Sequence, residues 1–235
     1  MKNQLQPIGS QWCGVDKTED YSEHSTVISA LKCRLTLTQG HRCDTQLFEF
    51  LSSMSSGYHS TLNLEDLLAH CRSAFPAKGV PAQTNLCLCH VTRKRIITIA
   101  QRQKMRRDRP ASYLVLQGPP PLGQKLYIYP TVPLICCLQT SRQQLYNSQL
   151  LNVLSYDEQY IYVQDPESEQ THTLTHEFVK NSCRSAHAYT IASCQGRQYA
   201  GTIALWDTKH AKYSKRHAYT ALSRSRSYAA LSIED

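Results

Sequence analysis

Near its C-terminus the chain reads Ala188-Tyr189-Thr190-Ile191-Ala192-Ser193-Cys194-Gln195-Gly196, then Thr202-Ile203-Ala204-Leu205-Trp206, then His217-Ala218-Tyr219-Thr220-Ala221-Leu222-Ser223-Arg224-Ser225-Arg226. Residues 202–206 form an apolar run of strand length and predict a strand, with Trp206 in its core. Residues 217–226 predict a helix, and 228–233 predict a closing strand. Strand, helix and strand in that order is the alternation of an α/β domain.

Working upstream, the same alternation returns. Residues 86–91 predict a buried strand, and Thr92 is placed to cap the helix that follows. Between 112 and 175 the character changes. Short β-rich runs over 113–116, 125–129, 132–138, 149–154 and 159–163 are parted by turns such as Gly118-Pro119-Pro120-Pro121 and Asp165-Pro166. Even spacing without a helical period predicts a small antiparallel barrel inserted in the α/β domain. Further upstream, Asp44 is an N-cap for a helix with Leu47, Leu51 and Met54 on one face. Asn63 caps another, with Leu64, Leu67, Leu68 and Cys71 as its stripe. A helix is expected at 22–31 and a short strand at 32–37.

The net charge is +8, and its distribution says more than its sum. From 93 to 109 lie Arg93, Lys94, Arg95, Arg102, Lys104, Arg106, Arg107 and Arg109, against the single acid Asp108. A second basic cluster runs from Lys209 through Lys212, Lys215 and Arg216 to Arg224 and Arg226. Such segregation points to contact with phosphates. The ten cysteines include no Cys-x-x-Cys pair, which argues against a zinc knuckle and for reduced thiols. Cys87, Cys89 and His90 admit a metal reading, but in their apolar setting they read better as residues of a buried strand, so no metal site is expected. The N-terminus lacks a signal-peptide pattern, and no apolar run is long enough to span a bilayer. A soluble protein of a reducing intracellular compartment, cytoplasm or nucleus, is expected, with no membrane partner.

Three patches resemble superfamily 1 helicases, most closely the branch with RecD-like proteins and related eukaryotic and viral enzymes. Residues 188–196 are similar to the family's fifth motif, Thr-(Ile/Val)-His-Lys-Ser-Gln-Gly. Residues 217–226 are similar to the sixth, Tyr-(Val/Thr)-Ala-Leu-(Ser/Thr)-Arg. At the start, Asn3-Gln4-Leu5-Gln6-Pro7-Ile8 resembles the tail of the third motif, Gly-Asp-x-x-Gln-Leu-x-Pro-(Val/Ile), without its Gly-Asp. The segment Leu35-Thr36-Leu37-Thr38-Gln39-Gly40-His41-Arg42 follows at a suitable distance and resembles the fourth, Leu-x-x-Asn-x-Arg. Cys87-Leu88-Cys89-His90-Val91-Thr92-Arg93 resembles the family's strand ending in Thr-Asn or Thr-Arg.

The resemblance implies an α/β, RecA-like second domain of a phosphate-loop helicase, with the first RecA-like domain largely missing. Residues 1–32 would be a remnant of that first domain. Residues 33–110 and 177–235 would be the two parts of the second, around an inserted barrel at 111–176. In this family ATP lies between two RecA-like domains and single-stranded nucleic acid crosses both. The resemblance assigns catalytic arginine-finger roles to Arg224 and Arg42. It assigns γ-phosphate sensing to Gln4, and phosphate approach by a loop and helix start to Gln195 and Gly196. Thr92, Arg93, Arg95 and Thr190 are the expected contacts to single-stranded nucleic acid.

Two departures matter. Ala192-Ser193 replaces the His-Lys pair of the fifth motif. No Gly-x-x-x-x-Gly-Lys-(Ser/Thr) occurs, since none of the nine glycines precedes a lysine. The apolar strand ending in Asp-Glu is also missing. ATP and Mg²⁺ are therefore expected as cofactors only if an upstream RecA-like domain, in the same or a separate chain, completes the cleft. The chain alone is expected not to hydrolyse ATP. A viral or mobile-element replication protein fits this divergence. The competing expectation is a non-catalytic, basic single-strand-binding protein of helicase descent.

Overall fold

The computed structural model describes residues 11–12, 15–16, 42–119, 123–140 and 144–235. Gln4, the expected helix at 22–31 and the strand at 32–37 lie outside them. Contacts divide the chain into two compact units, Met1–Val80 with Thr190–Asp235, and Pro81–Tyr189. Near the start, Gln11–Trp12 (β1) pairs antiparallel with Val15–Asp16 (β2).

In the first unit, Thr45–Ser56 (α1) begins where the Asp44 carboxylate accepts from Leu47 N at 2.9 Å, as its sequence predicts. It buries Leu47 and Leu51, with Met54 half-buried on the same side. After the single turn Tyr58–Thr61 (α2), Leu64–Ala74 (α3) is capped by Asn63, which accepts from Asp66 N at 2.9 Å. Its Leu67, Leu68 and Cys71 are buried, the predicted stripe, while Leu64 is half-buried.

The second unit opens with Thr84–Cys87 (β3), upstream of the predicted 86–91. Asn85 allows this shift. Fully buried, it accepts from Ala82 N and donates its amide to the Ala82 and His187 carbonyls, so a polar residue sits in the strand at little cost. His90–Asp108 (α4) then starts three residues earlier than a Thr92 cap implies, with Cys89 as its extended N-cap. Thr92 is consequently inside the first turn and is not the cap, a correction to the sequence reading. The helix ends at Arg109, which is left-handed with φ 44°, just before Pro110.

The β-rich segment supplies Leu114–Gln117 (β4), Lys125–Ile128 (β5), Pro133–Cys136 (β6), Leu150–Tyr156 (β7), Tyr160–Gln164 (β8) and Thr171–Thr175 (β9). His176–Ser182 (α5) and Cys183–Ser185 (β10) follow. Strands β4 and β5 form an antiparallel hairpin, and the others form an antiparallel sheet ordered β10-β6-β7-β8-β9. Alternate residues face one shared core: Leu126 and Ile128 from the hairpin, Leu151, Val153, Ile161, Val163 and Leu174 from the sheet. The segment is thus antiparallel, as the spacing of its turns predicts, with its strands in a five-stranded sheet and a separate two-stranded hairpin. Met105 of α4 packs against the same core, and Tyr129 donates to Asp108.

Ala188–Thr190 (β11) leads back into the first unit. There Ile203–Leu205 (β12), Lys215–Leu222 (α6) and Leu231–Ile233 (β13) form a β-α-β crossover. The strands run parallel, with Ile203 opposite Leu231 and Leu205 opposite Ile233. This is the α/β alternation expected from residues 202–233. The helix starts earlier than predicted because Ser214 caps it, and stops at Leu222. Beyond it Arg224 N and Ser225 N donate to Ala221 O and Leu222 O in tightened turns. Glu234 fastens the end of this crossover, accepting from Lys78 N and Gly79 N at 2.8 and 2.9 Å. Among the described residues no helix is long and apolar enough to cross a membrane.

Candidate functional site

Arg224 follows the last turn of α6, and its guanidinium is held by its own neighbourhood. Nε donates to the Thr220 carbonyl at 3.0 Å, Nη1 to the Arg197 carbonyl at 3.0 Å and Nη2 to Ser223 Oγ at 2.9 Å. A guanidinium carries five N–H donors. Three are spent here, which leaves one hydrogen on Nη1 and one on Nη2. That remaining pair is the fork that grips a phosphate or carboxylate with two parallel bonds. The side chain is half-buried, and no ion pair to it occurs among the described residues.

Arg42 reaches the same place from a distant part of the sequence. Its carbonyl accepts from Gln198 Nε2 at 3.0 Å. Two residues on, Asp44 secures the approach: Asp44 N donates to the Arg226 carbonyl, and its carboxylate accepts from Tyr228 N at 2.8 Å as well as from Leu47 N. Burial pushes the Asp44 carboxyl up, but these two amides and the Ser227 side chain outweigh it and hold it below its ordinary range. One aspartate thus ties the start of α1 to the strand-side end of the Arg224 turn.

The outcome is a concave site of about 280 Å³ lined by Arg42, Gly196, Arg197, Gln198, Ser223 and Arg224. It joins three of the residues singled out in the sequence, Arg42, Arg224 and Gly196. It adds Arg197 and Gln198, whose only sequence signal is adjacency to Gly196, and Ser223, the residue before Arg224 in the sixth-motif patch. Three guanidinium-bearing residues around one hollow suit an oxyanion ligand. Burial pushes the Cys194 thiol up to about 11 against the opposing pull of Arg224, so this thiol stays neutral.

The loop itself differs from expectation. Gly196 has φ +80°, and a Cβ there would meet nothing within 4 Å. Backbone conformation, and not space, is what calls for glycine. A 3-10 turn, Ala192–Cys194, precedes it, Arg197 N donates back to the Cys194 carbonyl, and no helix starts at Gly196. The helix-dipole contribution expected at Gln195 and Gly196 is therefore replaced by side-chain cations. Ala192-Ser193 turns inward chemically: Ser193 Oγ donates to the Thr190 carbonyl and Ser193 N to Thr190 Oγ1.

The expected nucleic-acid contacts scatter. Arg95 is exposed on α4, Thr92 half-buried, and Arg93 and Thr190 are buried. Arg95, Arg102 and Arg106 stand seven and four residues apart and share one exposed helix face, without an ion pair among the described residues. Lys104 and Arg107, by contrast, are engaged with Asp108 at 2.7 and 3.2 Å.

Residues 126–230 match the viral superfamily 1 RNA helicase core domain family. No curated protein sequence matches the chain. Among solved structures, Pif1 helicase from Bacteroides in complex with ADP-AlF3 and ssDNA shares 16% identity at a TM-score of 0.55, covering 86% of this chain and 52% of that one. Bacteroides Pif1 bound to ssDNA gives 16% and 0.54, covering 86% and 51%. Pif1 helicase from Candida albicans gives 16% and 0.50, covering 82% and 54%. The chain spans about half the length of the structures it matches. At this identity the likeness is one of fold, and together with the family match over residues 126–230 it makes the chain similar to the C-terminal half of superfamily 1 helicases.

Proposed function

We propose that this chain supplies the phosphate-sensing half of an ATP-dependent nucleic-acid helicase, with Arg224 and Arg42 acting on the transferred phosphoryl group. The observation that carries the reading is the convergence of Arg42, Arg197 and Arg224 on one hollow, with the Arg224 fork left open by its own three bonds. In phosphoryl transfer, charge builds on the equatorial oxygens, and a preset bidentate cation stabilises it without reorganising. Gln195 and Gly196 shape the loop beside the site, and Gln4 would sense the γ-phosphate. ATP with Mg²⁺ would be held by the phosphate loop of a first RecA-like domain, of which residues 1–32 are a remnant. The second RecA-like domain would comprise 33–110 and 177–235, with 111–176 as an inserted small barrel. The shared core of the β4-β5 hairpin and the five-stranded sheet supports that barrel reading.

Single-stranded nucleic acid would run along α4. Arg95, Arg102 and Arg106 span about 16 Å of helix at 1.5 Å per residue, room for two to three backbone phosphates. The Pif1 structures bound to ssDNA lend support by fold. This same stripe favours the second reading, a non-catalytic single-strand-binding protein, because it needs no nucleotide.

The deciding experiment measures oligonucleotide affinity and ATP hydrolysis for the chain alone and with a chain bearing a phosphate-loop domain. The helicase reading expects no hydrolysis alone, nucleotide-dependent binding when completed, and loss of hydrolysis in Arg224→Ala. Robust hydrolysis by the purified chain alone would sink it. Steep salt dependence with no nucleotide effect in the completed pair would leave the second reading standing.

A further inference from the structure

Arg93 lies in the second turn of α4 and is 6% exposed, yet its Nε and Nη1 have no hydrogen-bond partner. Arg184, from β10, buries an equally unmatched Nε. Neither side chain forms an ion pair among the described residues. An arginine buried to this degree ordinarily faces a carboxylate, because leaving a charged donor both dry and unpaired is among the costliest arrangements in a fold. Here the neighbour is a second arginine. His90, the exposed first residue of α4, completes the group.

The electrostatics agree with the geometry. Burial first, and then Arg184, pull the Arg93 guanidinium below its ordinary value. Burial, then Arg93, Arg184 and Lys94, do the same to the His90 imidazole. Among the described residues no carboxylate acts on either. The other groups facing Arg93 are the thiols of Cys137 and Cys87. Cys137 Sγ donates to the Ile135 carbonyl at 3.7 Å. Cys87 is fully buried in β3. The first turn of α4 contains no acidic residue, so the partial positive charge of this 19-residue helix adds to the same field.

We propose that Arg93, Arg184 and His90 form a second oxyanion site, at the N-terminal end of α4, that takes a phosphate group. Arg93 is its buried floor, with Nε and Nη1 still without partners. Arg184 and His90 are its half-open and exposed walls. The phosphate is either a backbone phosphodiester of nucleic acid or free inorganic phosphate. The site shares no residue with the Arg42–Arg224 hollow and does not depend on its reading.

The test uses inorganic phosphate as probe on the full chain carrying Arg224→Ala, which silences the other hollow. Phosphate, compared with chloride at equal ionic strength, should raise the melting midpoint by about 2–4 °C near saturation. Arg184→Met should abolish that rise while leaving the midpoint in chloride unchanged or higher, because an unpaired buried charge has gone. Arg93→Met should do the same, and if it does not fold, Arg184→Met still decides. Arg95→Met is the control: it should weaken oligonucleotide binding and leave the phosphate rise intact. A ten-nucleotide thymidine oligomer separates the sources. A several-fold affinity loss in Arg184→Met assigns a backbone phosphate, and an unchanged affinity assigns free phosphate. The site is refuted if phosphate gives no rise beyond chloride, or the same rise in Arg184→Met.

Discussion

Replacing Arg224 tests both halves of its role, because the structure gives it work even without ligand. Alanine removes three hydrogen bonds, to Thr220 O, Arg197 O and Ser223 Oγ. Each is worth about 0.5–1.5 kcal/mol net, and in a half-buried setting water restores part of the loss, which places the sum at about 1.5–2 kcal/mol. For a chain of this size the melting midpoint should fall by about 3–8 °C. A surface arginine without such partners would shift stability by less than about 0.5 kcal/mol. Lysine keeps the charge but reaches at most one of the carbonyls and has no fork, so Arg224→Lys should recover only a third of the stability. In the presence of the phosphate-loop half, both variants should lose at least about a thousandfold in ATP hydrolysis. Urea unfolding followed by circular dichroism reads the first effect and steady-state hydrolysis the second. If Arg224→Ala unfolds within 0.5 kcal/mol of the parent, or Arg224→Lys hydrolyses ATP at near-parental rate, the preset fork is wrong.

Four other outcomes follow from particular contacts. Asp44→Ala should cost about 1–2 kcal/mol by uncapping α1 and releasing Tyr228 N. Because the folded Asp44 carboxyl sits below its ordinary range, its contribution is present above that range and fades as pH falls through the folded value, so acid unfolding of Asp44→Ala should be less pH-dependent. Burial, reinforced by Lys104 and Arg107, holds His187 down at about 4, whereas an unfolded histidine titrates near 6.5. The unfolded chain therefore takes up this proton first. Stability should be complete above about 6.5 and fall by up to about 3 kcal/mol as pH drops toward 4, a slope that His187→Gln flattens in urea titrations at stepped pH. Gly196→Ala should cost about 1–2 kcal/mol from backbone strain alone, since no atom lies near the new Cβ, and a neutral result would show that φ +80° is not required. Arg95→Gln and Arg102→Gln should each lower the slope of log affinity against log salt by about 0.7 for single strands, and unchanged slopes would remove α4 from the binding path.

The elements legible in the sequence are those whose signals are local. Asp44 and Asn63 each accept from an amide three residues ahead, so the cap and its apolar stripe are read from one short window. The alternation of β5 and β8 is equally local, and their turns are marked by Gly, Pro and Asp. The edges of β3 and α4 failed to show for the opposite reason. Asn85 looks like a loop residue until the carbonyl of His187, 102 residues away, is there to receive its amide. Thr92 has the chemistry of a cap and loses the position to Cys89 only because β3 ends at Cys87.

The candidate site divides along the same line. Arg224, Gly196 and Arg42 were each marked by resemblance to a motif, but what makes them a site is chain geometry. Arg42 arrives because Asp44 is bound to the Arg226 carbonyl and Tyr228 N, and Gln198 holds the Arg42 carbonyl. Arg197 contributes twice, as a lining residue and as the carbonyl that orients the Arg224 fork. Neither role has a residue-type signature, since any residue has a carbonyl. The sequence of α4 shows the converse. Eight cations between 93 and 109 look alike in a charge count, yet folding sorts six of them into three kinds. Lys104 and Arg107 are spent on Asp108, Arg95, Arg102 and Arg106 face solvent in a row, and Arg93 is buried against Arg184. Only the second kind behaves as the basic patch that composition suggests. The third is more informative, because a buried cation without an acid demands a ligand in a way that an exposed one does not.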